Sequence, residues 1–303
     1  MPPARAVGLL IGFAADRAFG DPRHWHPVAG FGTCAARLEQ TTYGDSRTRG
    51  LLHEGALVGG AVAVGLLLDR IPVARTAVVA ATTWVVLGGR SLEREAAAVH
   101  ARLARGDLPG ARARVRRLVG RDTEHLDAVE VSRAVVESVA ENTSDAVVAP
   151  LLWGAILGPA GLLGYRAANT LDAMVGHRNA RYERFGWAAA RLDDLVNLPA
   201  SRLSALLVLA AEPARAHRAW RAWRHDAAGH PSPNGGVVEA AFAGALGVRL
   251  GGTNRYYGDR TEDRAILGDG RPVEPGDIPV ANRLALRVGV SAALAAAFLG
   301  ARR

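Results

Sequence analysis

Residues 137–197 read ESVAENTSDAVVAPLLWGAILGPAGLLGYRAANTLDAMVGHRNARYERFGWAAARLDDLVN, and this stretch decides the fold. An apolar run interrupted by proline, Ala146 to Gly164, lies between two segments rich in Glu, Asp, Asn, His and Arg. The core of a soluble helical protein rarely places so many ionisable groups beside such a run. The pattern is typical of a site that handles metal and phosphate at a membrane surface.

Apolar residues make up 49% of the 303-residue chain, and they are clustered. A helix that spans a bilayer needs about 20 mostly apolar residues. The candidate segments are Leu51–Leu68, Ile71–Gly89, Ala146–Gly164 and Leu284–Gly300. Ile71–Gly89 and Ala146–Gly164 approach this length, whereas the other two are marginal and rich in Ala and Gly. We therefore predict an all-α, polytopic integral membrane protein with cytoplasmic helical loops. The alternative is an alanine-rich soluble helical protein.

The formal net charge is +8, and every fixed cation is arginine because the chain contains no lysine. Chemistry that depends on lysine, such as a Schiff base or a Walker-type phosphate loop, is thereby excluded. Nine arginines lie between Arg90 and Arg121 without interleaved aromatic residues, which favours a cytoplasmic segment under the positive-inside rule over nucleic-acid binding. We predict one membrane domain over residues 1–303, with a charged cytoplasmic segment at about 90–145 and a polar loop at about 251–280.

Carboxylates recur on a predicted amphipathic helix over Asp122–Asp145. Glu137, Glu141 and Asp145 follow one another at spacings of four, which places them on one helical face. Hard oxygen ligands of this kind suit Mg²⁺. Further along the chain, Asp193 and Asp194 are an adjacent pair of carboxylates that could also bind Mg²⁺. The alternative interpretation is a solvated helix face and a helix cap.

A second cluster follows the apolar run. Asn169 and Asp172 are three residues apart and project together from a helix, and Gly176 begins a turn that presents an imidazole and guanidinium groups. The candidates there are His177 as a base and Arg178 and Arg181 as clamps for phosphate or carboxylate. A basic segment attracted to lipid head groups is the alternative. Further along, Asn234 lies in the turn Ser232–Gly236, whose exposed amides could cradle an anion.

Several motifs together resemble the CobD/CbiB family of cobalamin biosynthesis over nearly the whole chain. They are GDPRHWHPV at 20–28, VGRDT at 119–123, AENTSDAVVAPL at 140–151, the block YRAANTLDAMVGHRNARYERFGWAAARLDDLVNLPASRL at 165–203, SPNGG at 232–236 and GALGVRLGG at 244–252. One departure is Gly235, where alanine is expected.

The resemblance implies an adenosylcobinamide-phosphate synthase of the cytoplasmic membrane, with its active site facing the cytoplasm. Such an enzyme joins (R)-1-aminopropan-2-ol, or its O-phosphate, to the free propionate of adenosylcobyric acid as an amide. We expect ATP with Mg²⁺ to activate the carboxylate, and other cobalamin-pathway enzymes are possible partners.

The site residues are our own inference from the sequence. The catalytic candidates are His177, Asp172 and Asp145. The candidates for binding substrate or phosphate are Arg121, Asn169, Arg178, Arg181 and Asn234, and those for metal are Glu137, Glu141, Asp145, Asp193 and Asp194.

Two other functions stay open. A polytopic transporter would carry ionisable groups inside its spans, whereas the ionisable groups of this sequence flank the predicted spans. A non-catalytic membrane component of a corrinoid pathway would not need so many hard ligands.

The membrane path of Ala146–Gly164 is also a prediction. Proline at 150 and the pair Gly158-Pro159 divide the segment into parts that are each too short to span. We predict a broken, re-entrant hairpin that returns to the cytoplasmic side, buried by its neighbours. One proline-kinked spanning helix is the alternative.

Overall fold

The structure is a computed structural model that describes residues 4–22, 26–71, 74–177, 179–256 and 260–302. The described chain is mainly helical. Its helices are α1 (Ala4–Phe19), α2 (Pro27–Thr42), α3 (Arg47–Asp69), α4 (Arg75–Val86), α5 (Gly89–Leu103), α6 (Leu108–Val115), α7 (Ala128–Thr143), α8 (Ala149–Leu157), α9 (Pro159–Val175), α10 (Trp187–Ala211), α11 (Ala216–Asp226), α12 (Gly235–Leu246) and α13 (Asp277–Gly300). A single antiparallel pair of strands, β1 (Leu250–Tyr256) and β2 (Arg260–Leu267), completes the described elements.

The chain divides into two compact units built from non-consecutive segments. The first unit consists of Met1–Gly88, Asp145–Leu198 and Ala292–Arg303, and the second of Gly89–Ser144 and Pro199–Ser291. Helices α10 and α13 contribute residues to both.

Three of the described helices are long and apolar enough to cross a membrane, judged by length and composition: α3, α10 and α13. This confirms the predicted fold class of a helical membrane protein. Two of the predicted spans, Leu51–Leu68 and Leu284–Gly300, lie within α3 and α13.

The prediction for Ile71–Gly89 was wrong in extent. The helix there, α4, has only 12 residues, and Gly89 already begins α5. Conversely, α10 was not among the predicted spans, although it is a continuous helix of 25 residues that contains Pro199. Proline is tolerated within membrane helices, so it did not mark a boundary here.

The first unit packs through small residues. Helix α1 lies against α4, and α3 against α9. A methyl group on Gly8 would come within 2.6 Å of Val79 Cβ, and one on Gly12 within 2.4 Å of Thr83 Cβ. The glycines, spaced by four, thus allow the two backbones to approach closely, as is common between membrane helices.

The segment Ala146–Gly164 is broken, as predicted. Helix α8 ends at Gly158, which has φ +63° and ψ −144°, and α9 begins at Pro159. Helices α8 and α9 fold back on each other, so that Leu162 packs onto Gly154. Two carbonyl groups at the end of α8, those of Ala155 and Ile156, accept hydrogen bonds from Arg5 Nη1 at 3.3 and 3.1 Å.

In the second unit, α7 begins later than expected. Asp127 caps its N-terminus in a capping box with Glu130, so residues 122–127 precede the helix. At its other end, Ser144–Val148 form a π-helical turn. This turn contains Asp145, so the predicted ligand follows the end of α7 instead of lying on that helix.

The predicted polar loop at about 251–280 contains the β-hairpin, which the sequence analysis missed. Strands β1 and β2 pair in an antiparallel register with a bulge between Leu250 and Gly252. The strands are rich in Arg, Thr and Gly and carry few apolar residues, so no alternating pattern signals them.

Candidate functional site

The predicted site residues fall into both units. The second unit holds Arg121, Glu137, Glu141 and Asn234, and the first holds Asp145, Asn169, Asp172, His177, Arg181, Asp193 and Asp194. Arg178 lies outside the described residues. Each group is described within its own unit.

A buried ion pair anchors the second-unit group. Arg121 Nη2 lies 2.9 Å from Glu137 Oε2, and both residues are buried. The other carboxylate oxygen, Glu137 Oε1, accepts from Arg133 Nη1 at 3.3 Å and from the backbone N–H of Gly251 at 2.9 Å. Three donors therefore bind this carboxylate, so Glu137 belongs to an ion-pair network within the protein.

Beside this pair lies a polar cavity of about 140 Å³, which we call the second-unit cavity. It is lined by Leu118, Val119, Gly120, Arg121, Ala134, Glu137, Ser138, Glu141, Glu239 and Arg264. Glu141 is exposed, whereas Glu137 and Glu239 are buried. The cavity therefore joins two guanidinium groups to three carboxyl groups, only one of which faces solvent.

The turn Ser232–Gly236 leads into α12 next to this cavity. The Ser232 hydroxyl accepts hydrogen bonds from the backbone N–H groups of Asn234 and Gly235, at 3.3 and 3.0 Å. A methyl group on Gly235 would lie 3.5 Å from Glu141 Oε1, so the turn borders the exposed carboxylate. The predicted anion ligand Asn234 is buried, and its Oδ1 accepts from Ser201 Oγ at 2.9 Å and Arg202 Nη1 at 2.7 Å. The Asn234 carbonyl therefore fixes the turn.

His230 and Glu239 form a second buried pair in this unit. His230 Nε2 lies 3.5 Å from Glu239 Oε1. The Ser232 N–H donates to His230 Nδ1 at 3.1 Å, and a backbone N–H can only donate. The ring of His230 therefore connects the turn to Glu239 on α12.

The charge states of this pair follow from burial. Burial, reinforced by the charges of Glu137 and Glu141, raises the pKa of Glu239 well above its ordinary value. Burial, together with the positive charge of Arg264, lowers the pKa of His230. Burial thus favours the neutral form of both groups next to the cavity.

A carboxylate cluster lies in the first unit, formed by Glu54 on α3, Asp172 on α9 and Asp193 on α10. Asn169 Nδ2 donates to Asp193 Oδ1 at 3.2 Å. Glu54 is only 3% exposed, and the negative charges of Asp172 and Asp193 act on it. The structure thus brings together three predicted residues, Asn169, Asp172 and Asp193, and adds Glu54 to them.

The other first-unit candidates lie toward the surface. His177 is exposed in the turn after α9. Arg181 Nη2 pairs with Glu39 Oε1 at 2.8 Å, and its guanidinium lies 4.0 Å from the centre of the Tyr43 ring. The hydrogen bond to Glu39 raises the pKa of Arg181. Arg181 therefore ties α2 to the turn after α9.

The predicted metal ligands do not form a single prepared site within either unit. Within the described ranges, no group of three or more His, Cys, Asp or Glu side chains is arranged to hold a metal ion. Glu137 and Glu141 belong to the second unit, and Asp145, Asp193 and Asp194 to the first. Asp194 also lies 3.7 Å from Arg191. These residues do not fit a magnesium site built from protein carboxylates alone.

Four residues escaped the sequence analysis: Glu54, His230, Glu239 and Arg264. Glu239 is the lone acid in the otherwise apolar stretch of α12, and Glu54 lies beside the leucine-rich part of α3. An isolated carboxylate in an apolar helix is a usable signal for both. His230 and Arg264 gave no such signal, because contacts distant in sequence place them at the cavity.

Comparison with known proteins gives a consistent result. A model of the CobD/CbiB protein family matches residues 9–285. The chain is 51% identical to "Cobalamin biosynthesis protein CobD" of Mycobacterium tuberculosis strain H37Rv, over 99% of this chain and 97% of the relative. Proteins of the same name from Rhodobacter capsulatus and Chromobacterium violaceum are 44% and 43% identical, over 93% and 97% of this chain and 92% and 97% of the relatives. No solved structure matches the chain. The chain belongs to the CobD/CbiB family.

Proposed function

We propose that this protein acts in cobalamin biosynthesis, where it joins (R)-1-aminopropan-2-ol or its O-phosphate to the free propionate of adenosylcobyric acid. The product is an amide, adenosylcobinamide or its phosphate. The names of the relatives, identical at 43–51% over nearly their whole length, support the pathway. We place the enzyme in the cytoplasmic membrane with the reacting groups on the cytoplasmic side.

The second-unit cavity is the observation that carries the proposed reaction. Its lining and border draw on three separate motifs of the family resemblance: Arg121 from 119–123, Glu141 from 140–151 and Gly235 from 232–236. Residues distant in the chain thus converge on one polar cavity, which is typical of a functional site.

The charges of the cavity suit the three reactants. The corrinoid contributes a carboxylate and the nucleotide contributes phosphates, and both are anions that the guanidinium groups of Arg264 and Arg121 attract. The amine is a cation in water, and the exposed Glu141 carboxylate attracts it. Arg264 lies next to the neutral His230, with its Nη1 3.4 Å from the ring Nε2, so the imidazole adds no competing positive charge.

The chemistry requires activation, because an amide does not form from a carboxylate and an ammonium in water without an energy source. We propose that ATP phosphorylates the propionate, giving an acyl phosphate and ADP. The ammonium first loses a proton to a base, for which Glu141 is the candidate in this cavity. The free amine then attacks the carbonyl carbon, and phosphate leaves. We derive no step through Mg²⁺.

One observation favours a second candidate function, a membrane transporter. Glu54 and Asp193 lie inside α3 and α10, two helices long and apolar enough to span a membrane. The sequence analysis placed the ionisable groups beside the spans. A carboxylate within a span is a feature of ion-coupled transport.

The two functions make opposite predictions for a chemical assay. A strain that lacks the amide-forming step is supplied with adenosylcobyric acid and this chain, and cobinamide phosphate is measured by mass spectrometry. Purified protein is then tested for ATP turnover that depends on both the corrinoid and the amine. Cobinamide phosphate in the strain, together with ATP turnover that depends on both substrates, supports the ligase. Corrinoid uptake into vesicles without product supports the transporter.

Variants connect the assay to the cavity. Arg264→Lys keeps the charge but loses the two-pronged guanidinium, so we expect KM for the anionic substrate to rise roughly tenfold or more. Arg221→Lys is the matched control, because Arg221 pairs with Asp269 on the exposed surface of the same unit. Equal activity of both variants would remove the cavity from the reaction.

A further inference from the structure

The carboxylate cluster of the first unit contains a carboxyl group whose hydrogen bonds are unfilled. Glu54 is 3% exposed, and neither of its carboxylate oxygens has a hydrogen-bond partner among the described residues. A buried carboxylate without donors is strongly unfavourable. Protonation alone does not resolve this, since the new hydroxyl would still lack an acceptor. The group therefore points to a ligand.

The surroundings of Glu54 define the charge of that ligand. The negative charges of Asp172 and Asp193 act on Glu54, and Asp193 is held in place by the amide of Asn169. Like charges close together in a low dielectric repel one another unless a cation lies among them. The ligand is therefore a cation.

The arrangement also selects the kind of cation. A directly bound metal ion needs several oxygens converging at about 2.0–2.6 Å, and the described residues hold no group of three acidic or imidazole side chains so arranged. A primary ammonium has three N–H donors and reaches oxygens at about 2.7–2.9 Å, so its acceptors can lie farther apart. The chain has no lysine that could supply such a group itself.

We propose that Glu54, Asp172 and Asp193 bind a primary ammonium group. The ligand is either a free amine or the ethanolamine head group of a lipid, because Glu54 lies only about 10 Å along α3 from its first residue. The proposal rests on hydrogen-bond chemistry in the first unit and does not depend on the proposed reaction.

The test uses the full-length protein in detergent, with thermal unfolding as the readout. Methylammonium is the probe. Tetramethylammonium, which has the same charge but no N–H donor, is the control at equal ionic strength. We expect a saturable rise in Tm with methylammonium and none with tetramethylammonium.

Variants assign the effect to the site. Glu54→Gln has the same shape but no charge, and we expect it to weaken methylammonium binding roughly tenfold or more. Asp193→Asn serves as the second variant and should act in the same direction. Asp45→Asn is the matched control, because Asp45 belongs to the same unit and its side chain is exposed beside Arg184. It should bind as the wild type does.

Reconstitution into nanodiscs distinguishes the two sources. If ethanolamine lipid abolishes the response to added methylammonium and choline lipid does not, the head group occupies the site. If neither lipid does so, the ligand is a free amine. The proposal is overturned if Mg²⁺ gives the Glu54-dependent rise while methylammonium gives none, or if Glu54→Gln binds methylammonium as tightly as the wild type. Amide formation is not measured by this assay, so failure of either proposal leaves the other intact.

Discussion

Arg121 and Glu137 form an ion pair of 2.9 Å in which both side chains are buried. Glu137 extends from α7, and Arg121 precedes that helix by seven residues, so the pair ties the segment before α7 to the helix itself. Arg133 and the backbone of Gly251 bind the same carboxylate. A residue first considered as a metal ligand is thus a junction that joins α7 to the segment before it and to β1.

Glu137→Ala should therefore destabilise the protein. Removal of one partner leaves the Arg121 guanidinium buried without its counter-charge, which costs about 3–5 kcal/mol in comparable pairs. Thermal unfolding in detergent measures the effect. The matched control is Glu124→Ala, which removes the exposed partner of Arg116 and should cost about 1 kcal/mol or less. Similar losses of stability in the two variants would show that the buried pair contributes no more to stability than the exposed pair does.

Two neighbouring glycines should differ in how much stability they lose when a methyl group is added. On Gly235 the methyl would lie 3.2 Å from His230 Cε1, which a small shift accommodates. On Gly236 it would lie 2.4 Å from His230 Cβ and 2.6 Å from the carbonyl oxygen of Ala227. We expect Gly235→Ala to change stability by less than about 1 kcal/mol, and Gly236→Ala to destabilise by about 1–3 kcal/mol. Measured unfolding temperatures in the reverse order would contradict the geometry of the turn.

The fold was predictable where composition determines it. The apolar runs of α3 and α13 and the break at Gly158-Pro159 are local properties, and each was predicted. The length of α10 was not, because Pro199 resembles a boundary and the first half of the helix carries Arg191, Asp193 and Asp194. The hairpin of β1 and β2 was missed because its strands show no alternation of apolar and polar residues.

The candidate site was predictable only in part, for a related reason. Spacing brought Asn169 and Asp172 together correctly, since both lie on α9. It did not anticipate the π-helical turn that contains Asp145, because no apolar period reveals such a turn. His230 and Glu239 meet through the tertiary packing of the turn against α12, and no spacing rule links them to Arg121.

Stability should depend on pH through Glu239. Its pKa in the folded protein is raised well above the ordinary value of 4.5 by burial and by Glu137 and Glu141. As the pH rises above that ordinary value, the unfolded chain releases the proton while the folded protein keeps it. The wild type then loses stability, at most by about 1.4 kcal/mol per pH unit from this one group.

Glu239→Gln removes this dependence. The stability of the variant relative to the wild type should grow as the pH rises above the ordinary value of 4.5, as measured by unfolding temperature. The variant His230→Asn tests how stability depends on pH in the acidic range. Because the pKa of His230 is lowered in the folded protein, the wild type loses stability as the pH falls below the ordinary value of 6.5, and the variant should not. Parallel curves for wild type and variants would show that neither group is held neutral.

Gly158 should be intolerant of substitution. Its φ of +63° with ψ of −144° belongs to a backbone region that is accessible almost only to glycine, so Gly158→Ala should cost about 1–3 kcal/mol. Gly59→Ala is the control, because nothing lies within 4 Å of a methyl group there. The measurement is again thermal unfolding. A Gly158→Ala variant as stable as the control would imply a different backbone at the break.

The break at Gly158 leads to a prediction about membrane topology. Helix α8 has 9 residues, too few to span, and α9 folds back against it. The arginines that follow favour the cytoplasm under the positive-inside rule. We expect the hairpin of α8 and α9 to enter and leave on the cytoplasmic side. Single cysteines at Asp145 and Asn179 in a Cys34→Ser background should then both resist an impermeant thiol reagent in intact cells and react after permeabilisation. Labelling of the Asn179 position alone from outside would establish a crossing, and with it the kinked spanning helix.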